Sequence, residues 1–237
     1  MKKNIAVVGC GHWGKNLVRN FAELGALAAV CDPNAKLAQS YAEQYNVGNF
    51  SFATILANPF IEGVVLAVPA SLHASMAIEA MNARKHVYVE KPLAMNRIEA
   101  ETMIASSKKN DVQLMVGHLL QYHPIFMAVR GFVESGELGS LSYVYSNRLS
   151  FGKVRSEEDV IWSFAPHDIA LFQFLIGKKP KNIESVGIDI LQSNIHDTTI
   201  TTIKYPGKIM GHIFVSWLHP FKEHRFVVVG SKGMIHF

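Results

Sequence analysis

The sequence is poor in the features that mark several specialised classes of protein. Cysteine occurs only twice, at Cys10 and Cys31, so a disulfide framework is excluded and a cytoplasmic location is expected. No apolar run reaches membrane-spanning length, and no signal peptide precedes the apolar segment that starts at residue 4. The formal charge is only +4, with scattered lysines and arginines. We therefore expect neither a membrane nor a nucleic acid as partner, whereas an anionic small molecule is compatible.

The first half of the chain alternates short apolar runs with longer stretches of helical spacing. Apolar residues make up 49% and charged residues 18% of the sequence, which is typical of a globular protein. Apolar strands separated by helices predict a parallel sheet covered on both faces. We therefore predict an α/β fold with a doubly wound Rossmann domain over residues 1–122. The predicted strands are 5–8, 27–30, 63–68, 86–89 and 113–116, and the predicted helices are 15–24, 35–45, 71–83 and 97–109.

Residues 123–237 show a different order of predicted helices and strands. Helical spacing over 125–135 and 166–176 and alternation over 140–149 are followed by three or four strand-like segments from residue 183 onward. Runs of strands with few helices predict an α+β domain with a mostly antiparallel, open sheet. The chain stops at Phe237 with no closing helix, so we expect this domain to be truncated.

A glycine-rich loop follows the first predicted strand and opens the first predicted helix. Its glycines, Gly9, Gly11 and Gly14, match G-x-G-x-x-G. They would allow a tight turn, close approach of a pyrophosphate to the backbone, and tight helix–strand packing. His12 and Trp13 complete the predicted cofactor loop, although Trp13 is also compatible with a packing role.

Asp32 ends the second predicted strand, where a carboxylate can bind the ribose 2′-hydroxyl of a dinucleotide. A carboxylate there repels a 2′-phosphate, so the sequence favours NAD over NADP. The alternative interpretation is a glycine-rich turn beside a helix-capping aspartate.

Two further loops follow strands of the same predicted sheet. Val68, Pro69 and His73 follow the strand at 63–68 and are expected to flank the nicotinamide, because ligands bind beyond the carboxyl ends of parallel strands. A turn and a helix start would explain Pro69 and His73 equally well.

The next loop carries Glu90, Lys91 and Pro92. We include Glu90 and Lys91 among the cofactor-site residues. Lys91 could also donate a hydrogen bond to a substrate hydroxyl or relay its proton. The alternative is an exposed lysine paired with Glu90.

Together these motifs resemble the GFO/IDH/MocA oxidoreductases, the glucose–fructose oxidoreductase and inositol dehydrogenase type. The resemblance implies an NAD(P)-dependent reaction at a secondary alcohol of a sugar or cyclitol. It also implies an active-site role for Lys91, a cis peptide before Pro92, and a second sheet that forms a homodimer or homotetramer. It rests on the glycine loop, Ala67-Val68-Pro69, Glu90-Lys91-Pro92, Val116-Gly117 and His167-Asp168.

The same resemblance makes His167 the catalytic proton acceptor, with a buried core histidine as the alternative. Pro166 suits the first turn of the helix predicted here, and Asp168 would then be a residue that caps the helix or favours its dipole. Ser163 stands where many members have an aspartate that orients the histidine. That aspartate is therefore missing or replaced from elsewhere.

The segments 143–149, 162–168 and 214–221 look most like members that act at C3 of UDP-N-acetylglucosamine or UDP-N-acetylglucosaminuronate. The alternatives are a dehydrogenase of a free sugar or inositol, and a non-catalytic protein that senses NAD or a sugar nucleotide. No residue is assigned to a metal. The candidate substrate contacts are His123, Tyr145, Asn147, Arg148 and Asp168, which exposed polar positions would explain equally well.

Overall fold

The computed structural model describes residues 4–152, 154–156 and 158–237. The chain divides into two compact units, Met1–Gly117 and His118–Phe237. Each unit contains one six-stranded sheet, and together they confirm the predicted α/β and mixed-sheet fold classes. The predicted boundary after residue 122 stays a prediction. No helix within the described ranges is long and apolar enough to cross a membrane.

The first unit is a doubly wound parallel sheet. Its strand order, β3-β2-β1-β4-β5-β6, reverses direction at β1, and every neighbouring pair is parallel. The strands are β1 Ile5–Val8, β2 Leu27–Cys31, β3 Gly48–Asn49, β4 Gly63–Leu66, β5 His86–Val89 and β6 Leu114–Val116. The helices are α1 Gly14–Glu23, α2 Ala35–Tyr45, α3 Phe52–Ala57, α4 His73–Asn82 and α5 Arg97–Asn110.

Two short elements of this unit, β3 and α3, escape the sequence prediction. A strand of two residues is too short to display an alternating pattern. α3 has six residues, of which only Ile55 is buried, so it shows no apolar stripe. Its start is set locally, because the Ser51 side chain accepts a hydrogen bond from Thr54 N.

The second unit is an open mixed sheet, accompanied in its described residues by two α-helices and the short 3-10 helix Leu119–Tyr122. Its strand order is β12-β11-β7-β10-β9-β8, and all neighbours are antiparallel except the parallel pair β7–β10. The elements in chain order are α6 Pro124–Glu134, β7 Leu141–Phe151, α7 Val160–Ile176, β8 Asn182–Ile188, β9 Thr198–Lys204, β10 Met210–Ser216, β11 Leu218–Gly230 and β12 Met234–His236.

The prediction that α7 begins near Pro166 is wrong. The helix begins at Val160, and Asp159 caps it by accepting a hydrogen bond from Trp162 N. Pro166 therefore lies inside the helix, where it cannot donate the usual bond to the carbonyl of Trp162. The cap at Asp159 outweighs the preference of proline for a first turn, and it moves His167 to the middle of the helix.

Candidate functional site

The glycine loop is shaped by steric constraints at two of its glycines. Gly9 has a φ of +91°, and a Cβ on it would lie 2.5 Å from the carbonyl oxygen of Ala67. A Cβ on Gly14 would collide with the carbonyl of Gly9. The close packing of the loop, of the start of α1 and of the residue after β4 therefore requires glycine at both positions.

Gly11 differs from these two glycines. Its φ is not in the left-handed region, and no described atom lies within 4 Å of the position that a Cβ would occupy. The packing of the chain itself therefore does not require glycine here. A group that approaches the backbone from outside, such as a pyrophosphate, would explain the residue.

Asp32 directly follows β2, and its carboxylate is bonded to the glycine loop. Its Oδ2 accepts a hydrogen bond of 2.7 Å from Cys10 N, and its Oδ1 accepts one of 2.8 Å from Asn34 N. Asn34 in turn caps α2 by accepting from Leu37 N. The carboxylate is thus fixed between the glycine loop and the start of α2, at the carboxyl edge of the sheet.

The two thiols beside this site are free cysteines, and Cys10 is buried. Burial, followed by the negative charge of Asp32 and the nearby Cys31, raises the pKa of Cys10 to about 12. The thiol is therefore protonated at neutral pH. Since the thiolate is the nucleophilic form, Cys10 is not suited to covalent catalysis.

Glu90, directly after β5, is buried and accepts three hydrogen bonds. Its Oε1 accepts 2.8 Å from Trp13 Nε1 and 3.1 Å from Tyr88 Oη, and its Oε2 accepts 3.2 Å from Lys91 N. Trp13 is 44% exposed, so a hydrogen bond to Glu90 rather than burial holds its ring. This bond joins the glycine loop to the loop that carries Lys91.

The residue after β6, Gly117, makes room for this arrangement. A Cβ on Gly117 would collide with Tyr88 Oη and would lie 2.9 Å from Glu90 Oε1. The structure thus gives a physical reason for the glycine of the Val116-Gly117 motif. Sequence reasoning missed Tyr88, because a tyrosine within a strand carries no signal that its hydroxyl reaches a carboxylate.

His73, the first residue of α4, is only 1% exposed and lies between two loops. Its Nδ1 is 2.7 Å from the carbonyl oxygen of Pro92, and its Nε2 is 3.0 Å from that of Val68. The Lys91–Pro92 peptide is cis, as the resemblance implies. Lys91 is half-buried, whereas Pro69 is exposed.

The predicted cofactor residues thus gather along the carboxyl edge of one sheet, the edge where doubly wound folds bind their ligands. The four loops that bear them are joined by side chains. Asp32 accepts from Cys10 N, Trp13 donates to Glu90, and His73 lies between the carbonyls of Val68 and Pro92. His12 lies in the glycine loop and is exposed.

In the second unit, Asp168 is fully buried on α7. It accepts hydrogen bonds from Ser146 Oγ at 2.6 Å, from Arg148 Nε at 2.9 Å and from Arg148 Nη2 at 3.0 Å. The interpretation of Asp168 as a helix cap or dipole residue is wrong, because this residue lies in mid-helix and joins α7 to β7 through a two-pronged ion pair.

This ion pair borders a cavity of about 120 Å³ within the second unit. Of the five predicted substrate residues, His123, Asn147, Arg148 and Asp168 line it. Tyr145 does not, because it lies on the opposite face of the sheet and stacks on His212 with ring centroids 5.0 Å apart. The remaining lining residues are Leu120, Phe126, Ser146, Leu171, His224, Arg225, Phe226 and Phe237.

His224 is a cavity residue that sequence reasoning missed. It faces Arg148 across the β7–β11 pair. Burial, and then the positive charges of Arg148 and Lys222, lower the pKa of His224. Its ring is therefore mainly neutral at pH 7. The pairing register of β7 and β11 places His224 at the cavity, and no pattern in the sequence predicts that register.

The position of His167 follows from that of its neighbour. His167 is half-buried in the middle of α7, directly before the anchored Asp168, and Ser163 is buried one turn earlier. The catalytic role of His167 stays a prediction. Among the described residues, no three histidine, cysteine or carboxylate side chains are grouped so that they could hold a metal ion.

Comparison with known proteins gives relatives in sequence and in structure. The UDP-N-acetylglucosamine 3-dehydrogenase of Acidithiobacillus ferrooxidans is 32% identical over 184 residues, which are 77% of this chain and 57% of the relative. Its solved structure has a TM-score of 0.88 at 26% identity and covers 96% of this chain and 74% of that one. The chain thus spans little more than half the length of this curated relative.

A second relative shows the fold alone. The scyllo-inositol dehydrogenase of Lactobacillus casei, solved with NAD(H) and scyllo-inositol, has a TM-score of 0.89 at 18% identity and covers all of this chain and 76% of that one.

Family models match both units. Residues 3–118 match the oxidoreductase family with an NAD-binding Rossmann fold, and residues 126–236 match the GFO/IDH/MocA C-terminal domain. The chain therefore belongs to the GFO/IDH/MocA oxidoreductases.

Proposed function

We propose that this protein is an NAD-dependent oxidoreductase that transfers hydride between nicotinamide and a secondary alcohol or ketone of a sugar. The observation that carries the proposal is Gly11, whose lack of a side chain is explained by an approaching ligand and not by the packing of the described chain. Asp32 supports NAD over NADP, because its fixed carboxylate would repel a 2′-phosphate.

The proposed chemistry divides the work between cofactor and protein. Bound nicotinamide supplies the hydride acceptor or donor. In the oxidation direction, Lys91 donates a hydrogen bond to the substrate oxygen as it becomes a carbonyl, and His167 takes the hydroxyl proton. Both roles follow from the family resemblance. The buried Glu90 and the bridging His73 support a fixed position for Lys91.

For the substrate, we propose a nucleotide-activated N-acetyl amino sugar, oxidised at C3. The supporting relative is named for that reaction on UDP-N-acetylglucosamine. Arg148 is suited to a diphosphate or carboxylate oxygen through its free N–H groups, although two of its donors are already engaged by Asp168. The cavity of about 120 Å³ would take only part of such a molecule, since pockets for whole ligands measure roughly 300–1,000 Å³.

A dehydrogenase of inositol or of a free sugar is the second candidate, and the fold of the scyllo-inositol enzyme favours it. The discriminating measurement is incubation with NAD and a panel of nucleotide sugars, free sugars and inositols, following reduced nicotinamide. A parallel series should contain 2-oxoglutarate as ketone acceptor and should follow the formation of 2-hydroxyglutarate and of oxidised sugar, because a cofactor recycled in place gives no net reduced nicotinamide. If the whole panel is silent in both series, the catalytic proposal fails and a non-catalytic sensor of NAD or a sugar nucleotide is favoured.

Replacing Lys91 tests the catalytic assignment. We expect Lys91→Met to abolish turnover of the substrate that the panel identifies while leaving NADH affinity within about threefold of wild type, because the pyrophosphate and ribose contacts lie elsewhere. NADH fluorescence titration and initial rates are the measurements. Lys109→Met, at an exposed position on α5, is the matched control and should behave as wild type. Undiminished turnover in Lys91→Met would remove Lys91 from the mechanism.

We further propose that the open face of the second sheet forms a homodimer or homotetramer. The face opposite α7 exposes apolar side chains on four strands, which a stable partner would cover. These exposed residues are Val186, Ile188, Ile200, Met210 and Met234. Light scattering of purified protein would contradict this proposal by giving a monomer mass.

The predicted cytoplasmic location stays a prediction.

A further inference from the structure

We infer that His73 is a positioning residue, which sets the place of Lys91 by bracing the loops after β4 and β5 against each other. This inference rests on the proposed function, because it takes Lys91 as the residue to be positioned. The sequence predicted His73 as a residue flanking the nicotinamide. We assign it instead a role that acts through Pro92 and Val68.

The first step of the argument is the burial of the histidine ring. At 1% exposure, His73 has no water to satisfy its ring nitrogens, and each nitrogen faces one backbone carbonyl oxygen. A buried carbonyl that lacks a donor is costly. Pro92 O and Val68 O belong to different loops, so one side chain contacts both, and in either tautomer a ring N–H donates to at least one of the two oxygens.

The second step is the location of Lys91 between two anchors. β5 pairs with β4, and a hydrogen bond of 3.0 Å from Glu90 N to Leu66 O holds the residue that directly follows β5. On the amino side, Lys91 N donates to the Glu90 carboxylate, and on the carboxyl side Pro92 O meets His73. Pro92 has no N–H of its own to donate. Loss of the His73 contact would therefore remove one of the restraints on the carboxyl side of the loop, next to Lys91.

The third step is the choice of histidine for this task. A leucine of similar bulk would fill the space and donate no hydrogen bond. A glutamine can also donate to one of the two carbonyls, but its amide is carried on a flexible chain, whereas the imidazole is a rigid ring. The two nitrogens of an imidazole lie in one rigid plane, on edges of the ring that face different directions, and this geometry suits contact with two loops.

The test uses the whole chain and the reactivity of its lysines. Purified wild type, His73→Leu and His73→Gln are treated with limiting acetic anhydride, with and without NADH, and acetylation of Lys91 relative to Lys109 is measured by mass spectrometry. We expect the ratio in His73→Leu to rise about fivefold or more without NADH, since one buried hydrogen bond governs an opening equilibrium of that order. His73→Gln should give an intermediate ratio.

His86→Gln is the matched control. His86 begins β5 at the end of the strand opposite to Lys91, and its Nδ1 accepts from Gln113 N. It should leave the Lys91 ratio unchanged. A merely structural role for His73 would lower the unfolding temperature of its variants without changing the ratio in folded protein. If His73→Leu does not fold, His73→Gln carries the test.

The outcomes separate the inference from the proposed function. An unchanged ratio in folded His73 variants overturns the positioning role. If NADH does not protect Lys91 of the wild type from acetylation, the proposed placement of Lys91 beside the cofactor is contradicted. The series without NADH would still test the positioning role of His73. When a substrate is found, His73→Gln should lower kcat more than it raises KM.

Discussion

The proposed cofactor residues of the first unit and the cavity residues of the second are held in place by different means. In the first unit, glycines admit close backbone contacts, and main-chain groups bond to Asp32, Glu90 and His73. In the second unit, a buried ion pair between Arg148 on a strand and Asp168 on a helix defines the cavity wall. We call the first set of residues the backbone-built site, because it depends on positions without a side chain. We call the second the side-chain-built site, because it depends on a pair of opposite charges.

The largest expected effect concerns the backbone-built site. Gly14→Ala should destabilise the protein by more than about 4 kcal/mol, because its Cβ would strike the Gly9 carbonyl. Gly11→Ala is the matched variant: with no described atom within 4 Å, it should keep the wild-type unfolding free energy. It should nevertheless bind NADH about tenfold more weakly or worse.

Urea unfolding and NADH titration of these two variants measure both effects. A Gly11→Ala protein that is stable and binds NADH normally would remove the argument that an external ligand explains this glycine. A Gly14→Ala protein of wild-type stability would show that the loop relaxes easily.

The next effect tests the side-chain-built site. Asp168→Asn or Arg148→Met alone should cost about 3–5 kcal/mol, because each leaves a buried partner without its counter-charge. The double variant Arg148→Met, Asp168→Leu should recover much of that loss, since an apolar pair of similar volume replaces the ion pair. Urea unfolding of the three variants against wild type measures the recovery.

An exposed ion pair on α5 is the control for this series. Arg97 Nε lies 2.7 Å from Glu101 Oε1, and the two side chains are 88% and 59% exposed. Arg97→Met should therefore leave the free energy of unfolding close to that of wild type, because solvent screens the pair. A double variant at 148 and 168 that is no more stable than the singles would show that the buried charges are individually required.

The smallest expected effect concerns a second buried carboxylate in the second unit, Asp197. It accepts bonds from Ile190 N, Leu191 N and Trp217 Nε1. Burial acts to raise its pKa, but these hydrogen bonds outweigh burial and lower it. Asp197→Asn should cost about 2 kcal/mol at pH 7, because its amide meets backbone donors.

The sign of the pH dependence follows from the lowered pKa of Asp197. The stabilisation is fully present above the unfolded value of 3.8 and is lost as the pH falls through the lower folded pKa. The stability gap between wild type and Asp197→Asn should therefore be widest near neutral pH and should narrow below pH 3.8. Unfolding of both proteins at several pH values measures it, and a gap independent of pH would contradict the argument. Asp189→Asn, at an exposed carboxylate, should have a smaller effect.

Local signals in the sequence predicted most of the first unit. Apolar strands, helical spacing and the glycine loop predicted the parallel sheet and the candidate cofactor residues, because each of these features depends on near neighbours in the chain. The start of α7 was mispredicted because proline was given more weight than the cap at Asp159. The role of Asp168 was mispredicted for the same reason, since a residue taken to lie in a first turn lies in mid-helix.

By itself, the sequence determined the family, the two-part architecture, the positions of Gly9 and Asp32 directly after their strands, and the position of Gly14 at the start of the first helix. Only the tertiary structure decided the partners of Glu90, the bridge made by His73 and the pairing of Arg148 with Asp168. The physical reason is separation along the chain. A loop conformation is encoded by adjacent residues, whereas contacts between residues 13 and 90, 73 and 92, or 148 and 168 exist only after the elements have packed.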